Sequence, residues 1–152
     1  MHINLREGGG TMVDYMIFVR ATINEAIEYG KKVGFESGAI AVEVKNLPKE
    51  NSVTNIHEFI FCEVMTTSDF NDHQKTEFLR AHVHSAHERH QRGENIASTG
   101  WGPALITIGY KTLFFPEEPS DYSIVVGVMS DRTKTSQQIL NAVLDGIPDN
   151  QH

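Results

Sequence analysis

Five of the chain's eight histidines, His73, His82, His84, His87 and His90, fall in one stretch. Imidazole both accepts and donates protons near neutral pH, and an adjacent carboxylate orients it. At about 100° per residue in a helix, four of these side chains divide between two stripes and His82 points elsewhere. Leu79, Val83, Ala86 and His90 form the stripe expected to face a core, and His73, Glu77, Arg80, His84 and His87 form its neighbour. On the second stripe His84 and His87 stand i,i+3 and His84 and Glu88 i,i+4, spacings at which two side chains converge on one atom. His73 and Glu77 repeat the i,i+4 spacing two turns earlier. The catalytic candidates are therefore His84 and His87 for proton transfer, with Glu88 and Glu77 orienting them. Arg80, one turn before His84, is the candidate clamp for a carboxylate or phosphate.

The same pattern also suits a plainly solvated helix face, and it suits a metal site only with help. The run His84-Ser85-Ala86-His87-Glu88-Arg89-His90 does not have the His-Glu-x-x-His spacing of zinc proteases. One helix supplies too few ligands, so His57 or Glu63 from a strand, or a residue of another subunit, would have to complete a metal site. The metal question stays open and no cofactor is assigned, since neither a dinucleotide fingerprint nor a nucleophile elbow is present.

A second candidate follows the helix. Asn95-Ile96-Ala97-Ser98-Thr99-Gly100-Trp101-Gly102-Pro103 sets the only tryptophan between glycines, which permit unusual backbone angles and close approach. The hydroxyls of Ser98 and Thr99 and the ring of Trp101 are candidate ligand contacts. No Gly-Lys-Ser/Thr follows, so this is not a phosphate loop of the known kind, and Trp101 equally fits a plug at the edge of a core or subunit contact.

These residues need elements to position them. Asp14 to Arg20 reads as a buried strand, and Thr22-Ile23-Asn24-Glu25 is a capping-box pattern opening a helix over 22–33. Ala39 to Val44 and His57 to Val64 are strands joined by a polar connection, hence expected as antiparallel neighbours. The histidine helix is expected from Ser68 or Asp69 to about Gln91. Ala104 to Phe115, with a bend at Gly109, and Tyr122 to Met129 are further strands. Thr135-Ser136-Gln137-Gln138 is expected to open a last helix carrying Ile139, Leu140, Val143 and Leu144 and stopped by Gly146 and Pro148.

The resulting order, β-α-β-β-α-β-β-α, predicts an α+β two-layer sandwich with a mostly antiparallel sheet and its helices on one face. Residues 1–11 read as a flexible leader, 12–148 as one domain and 149–152 as a frayed tail. Several strands are apolar on both faces, so a second subunit is expected against the uncovered side, making a homo-oligomer. The strand Ile124-Val125-Val126-Gly127-Val128, with Ile139 to Pro148 after it, resembles the formaldehyde-activating enzymes. Their catalytic histidine setting has no counterpart near Asp14, so the resemblance implies no site residue.

Composition bounds the functional classes. The chain has 152 residues, 39% hydrophobic and 22% charged, as a single globular domain does. A net charge of −7 with no Lys/Arg block disfavours nucleic acid. No apolar stretch has the length of about 20 residues that a membrane span needs, and the N-terminus lacks signal-peptide architecture. Cys62, the only cysteine, sits in an apolar run and reads as an inert buried thiol. A cytoplasmic protein is expected. The leading functional expectation is a small enzyme or ligand-processing domain acting on a small polar, anionic molecule at the histidine-rich helix. The alternatives are a non-catalytic oligomeric sensor or regulatory domain, or an assembly domain.

Overall fold

The structure, a computed structural model, describes residues 21, 24, 25, 28, 38–48, 60–67, 70, 73–96, 105–114, 116, 120–130 and 133–147. Ala21, Asn24, Glu25 and Glu28 are helical, the last three inside the helix expected over 22–33. The strand expected over 14–20 lies outside the described residues, as do the expected leader and tail. The remaining elements are β1 (Gly38–Pro48), β2 (Ile60–Thr66), α1 (His73–Gln91), β3 (Leu105–Leu113), β4 (Ser120–Ser130) and α2 (Thr133–Gly146), in that chain order.

The four strands make one antiparallel sheet in the order β2-β1-β4-β3. Each hairpin partner is a chain neighbour, as expected for β1 and β2, and the two hairpins join through β1 and β4. Those central strands carry Ile40, Val42 and Val44 with Ile124, Val126 and Val128 on one face, and Ala39, Ala41, Val125 and Met129 on the other. Successive side chains of a strand point to opposite faces, so both faces of this sheet are apolar and both must be covered.

A helix covers each. The first set packs with Ile139, Leu140 and Val143 of α2 and with Ile147 just beyond its end. The second packs with Leu79, Val83 and Ala86 of α1. The expected two-layer arrangement with the helices on one face is thus replaced by helices on opposite faces. The physical reason is the run Ile124-Val125-Val126, apolar at consecutive positions, which one helical layer cannot bury. Among the described residues, both apolar faces of β1 and β4 are thus covered by helices of the same chain.

Local signals account for the helix ends. Gly93, at φ +81°, follows α1; its N–H donates to the carbonyl of His90 (3.0 Å) and that of Glu94 to the carbonyl of Arg89 (3.0 Å). This paired 5→2 and 6→1 pattern is the Schellman stop, which favours glycine because L side chains resist the left-handed region. Upstream, α1 is described from His73, and Ser68 and Asp69, where its start was expected, lie outside the described residues. α2 begins at Thr133, so Ser136 of the expected cap is instead inside the helix and buried, 2.6 Å from the Ser130 hydroxyl. At the other end of α2, the Lys111 ammonium donates to the carbonyls of Leu144 (3.0 Å) and Ile147 (2.5 Å), satisfying acceptors a helix leaves open. At Gly109 the β3–β4 ladder continues through its pair with Val126; the missing side chain gives room to Leu140 and Leu144.

Candidate functional site

The face of the sheet under α1 changes character along the strands. At one end Ile106, Met129 and Ala39 are in register, followed by Ile108, Gly127, Ala41 and Val64. These meet Leu79 and Val83 in the apolar cluster. The next rows turn polar: Tyr110, Glu43 and Cys62 flank Val125, and then come Thr112, Ser123 and Lys45. The C-terminal half of α1 lies over these rows, and its histidines answer them.

Glu43 is the centre. It is buried, with 2% of its surface exposed, and each carboxylate oxygen takes one imidazole: Oε2 is 2.8 Å from His84 Nδ1 and Oε1 is 3.0 Å from His87 Nδ1. His87 is wholly buried and its other nitrogen, Nε2, is 2.8 Å from Ser123 Oγ, also buried. A carboxylate facing Nδ1 makes that nitrogen the donor to Glu43, and when the His87 ring is neutral its Nε2 accepts from the Ser123 hydroxyl. Lys45, buried on the same face, places its ammonium 3.8 Å from Glu43 Oε1. Burial alone would push the Glu43 carboxyl up. Hydrogen bonds from His87 and His84, and the charges of those rings, outweigh it and hold the group below its ordinary value.

His84 differs from His87 in being half exposed, its side chain at 46%. Its Nε2 lies 2.7 Å from Glu88 Oε1, the i,i+4 partner, which is itself half exposed. Both ring nitrogens therefore face carboxylate oxygens, one buried and one in solvent. His82 stacks on Phe78 at 6.1 Å, and His90 lies tilted against Tyr110 at 4.1 Å. Burial holds both rings below the ordinary imidazole value, with the charges of Arg89 and His87 respectively adding to it.

Beside the cluster an open cavity of about 460 Å³ runs along β2, lined by Asn24, Glu28, Cys62, Glu63, Val64, Met65 and Arg80. Cys62 is the cross-strand partner of Glu43, and Arg80 sits one helical turn before His84. The Cys62 thiol is pushed up by burial, and the charges of Glu43 and Glu63 add to this against the opposing Arg80 guanidinium. It stays protonated and unreactive at neutral pH. Arg80 and Glu77 are half exposed and 3.7 Å apart.

The structure thus brings His84, His87 and Glu88 together around Glu43, with Arg80 a turn away at the cavity and Glu77 against Arg80. His87, expected on the second stripe, is part of the buried one: the buried residues of α1 are Leu79, Val83, Ala86 and His87. His90, expected in the core, is only half buried. Ser98, Thr99, Trp101 and His57 lie outside the described residues, and Glu63 lines the cavity. Among the described residues no group of three or more His, Cys, Asp or Glu side chains is disposed to hold a metal ion. No helix among them is long and apolar enough to cross a membrane.

Sequence reasoning missed Glu43, Lys45 and Ser123. One signal was available: Glu43 and Lys45 continue the strand face of Ala39 and Ala41 within an otherwise apolar run, and charges are rarely buried without partners. No family model, curated protein or solved structure matches the chain.

Proposed function

We propose that the chain is a small cytoplasmic enzyme or ligand-processing domain acting on a small polar molecule with an anionic group. In this reading His84 transfers the proton, Arg80 holds the anion, and the cavity along β2 receives the rest of the ligand. The observation that supports it most is the asymmetric setting of His84. Its Nδ1 is anchored to buried Glu43, whereas its Nε2 faces only half-exposed Glu88, a pair that solvent screens and a ligand can displace. Glu43 orients the ring as the carboxylate of a catalytic triad does. Glu77, at 3.7 Å from Arg80, steadies the guanidinium in its free state.

Isothermal titration against a panel of small carboxylates, phosphate esters and inorganic phosphate tests this. At least one member should bind, and Arg80→Met should weaken that binding about tenfold or more, as loss of a charged hydrogen bond does. Binding by none, or indifference to Arg80, would remove the proposal. Thermal shifts with Zn²⁺, Mn²⁺ and chelator address metal involvement in the same series.

The closed state of Ser123, His87 and Glu43, each satisfied inside the protein, favours a second reading. A non-catalytic sensor or regulatory domain would need nothing more from that network than rigidity. Ligand binding without turnover, with association on binding seen by light scattering, would select it over the enzyme.

A further inference from the structure

The geometry points to Nε2 of His84 as the proton-transferring atom, with Glu43 as the positioning residue that fixes it by holding His84, when neutral, as the Nδ1–H tautomer. The facts are the two oxygens of one buried carboxylate and the rings they meet. Glu43 Oε1 is engaged by His87, whose far nitrogen is tied to Ser123, so the carboxylate cannot rotate without breaking a buried chain. Its Oε2 is left aimed at His84 Nδ1.

With both nitrogens facing carboxylates, the ring hydrogen-bonds to both only when it carries two protons, donating at each. One proton must leave when the ring becomes a base. If the Nδ1 proton left, a bare lone pair would face a buried carboxylate oxygen at 2.8 Å, an uncompensated contact in a poorly solvated place. If the Nε2 proton leaves, the lone pair faces Glu88, which is half exposed and can swing into water. The other charged groups nearby are Lys45, which steadies Glu43 as an anion, and Arg80, a turn away. The Nε2 proton is the one released.

The role at Nε2 rests on the proposed function; the tautomer does not. A ligand panel can therefore fail while the tautomer stands, and the reverse. For a ligand held by Arg80, the reaction class follows. Nε2 would accept a proton from an acidic C–H or O–H, the bonding pair staying on the ligand, while Glu43 stabilises the imidazolium that forms. The proton then returns to product or water. A substrate would carry its acidic proton near a carboxylate or phosphate.

Long-range ¹H–¹⁵N correlation on the full chain with ¹⁵N-labelled histidine tests the assignment. It is done near pH 8.5, above the ordinary imidazole value of about 6.5. Neutral His84 should be protonated at Nδ1 with Nε2 carrying the lone pair, the tautomer an unconstrained ring disfavours. Glu88→Gln should leave this pattern unchanged. Glu43→Gln should return His84 predominantly to Nε2–H. A wild-type His84 already in the Nε2–H form would overturn the assignment, as would an Nδ1–H form that survives in Glu43→Gln. The wild-type and Glu88→Gln spectra decide the matter even if Glu43→Gln does not fold.

Discussion

Glu43 carries more of the candidate site than any histidine, because it is the only member that touches both imidazoles and the Lys45 ammonium. Removing one partner of a buried charged cluster leaves the others desolvated and uncompensated. Glu43→Ala should therefore cost about 3–5 kcal/mol of stability by urea denaturation. Ser123→Ala strands only the Nε2 acceptor of His87 and should cost about 1–3 kcal/mol. Glu88→Gln, at a half-exposed pair, should cost less than about 1 kcal/mol. If Glu88→Gln were the costliest of the three, the network would be centred on the helix surface and not on β1. The imidazole end of this site was legible in the sequence, since His84, His87 and Glu88 share a helix and their spacing can be computed. The carboxylate and hydroxyl were not, because Glu43 lies 44 positions from His87 and Ser123 lies 36 from it, and no local period reports a pairing between elements.

At the scale of elements, what was read correctly is what local physics decides. The antiparallel pairing of β1 with β2, the body of β4 and the end of α1 at Gln91 follow from apolar runs, short connections and the loss of helical periodicity. The layering was misread because a strand apolar on both faces does not say what covers its second face: a helix of the same chain or another subunit. Here α2 does so, and the fit between sheet and helices is tight at two glycines. A Cβ at Gly127 would collide with Val83 Cγ2 and approach Leu79 Cδ1 at 3.2 Å, whereas one at Gly109 would meet the tip of Leu144 at 2.7 Å. Val83 is β-branched and held to few rotamers, so it cannot turn aside within a helix; the partly buried Leu144 can. Gly127→Ala should destabilise by about 1–3 kcal/mol, and Gly109→Ala by less. Adding Val83→Ala to Gly127→Ala should recover part of the loss, a favourable coupling that a double-mutant cycle measures. Strict additivity would mean that α1 does not sit over Gly127 as described.

For the molecule as a whole, the perturbed groups make stability fall on acidification, in two separate windows. His82 and His90 are held below the ordinary imidazole value of 6.5 in the folded chain. Between that value and their folded ones, the unfolded chain binds more protons, so folding weakens as pH falls. Their stabilisation is complete above 6.5 and is lost below it. Glu43 is held below the carboxylate value of 4.5; its contribution is complete above 4.5 and is lost as pH drops through its folded value. Cys62 acts oppositely at the alkaline end: raised above 9.0 when folded, it costs stability as pH climbs past that point. Net charge runs the same way as the acid limb, because protonating eight histidines would cancel a balance of −7 and with it the repulsion that keeps copies apart. Urea midpoints measured at low protein concentration separate folding from association. They should fall between pH 7.5 and 5.5 and fall again below pH 4.5. The variant His82→Gln/His90→Gln should flatten the first limb and leave the second, since neither ring touches Glu43. A first limb that persisted in that variant would place the acid sensitivity on the Glu43 cluster, so that one network governed both the hold of α1 on the sheet and the protonation of His84.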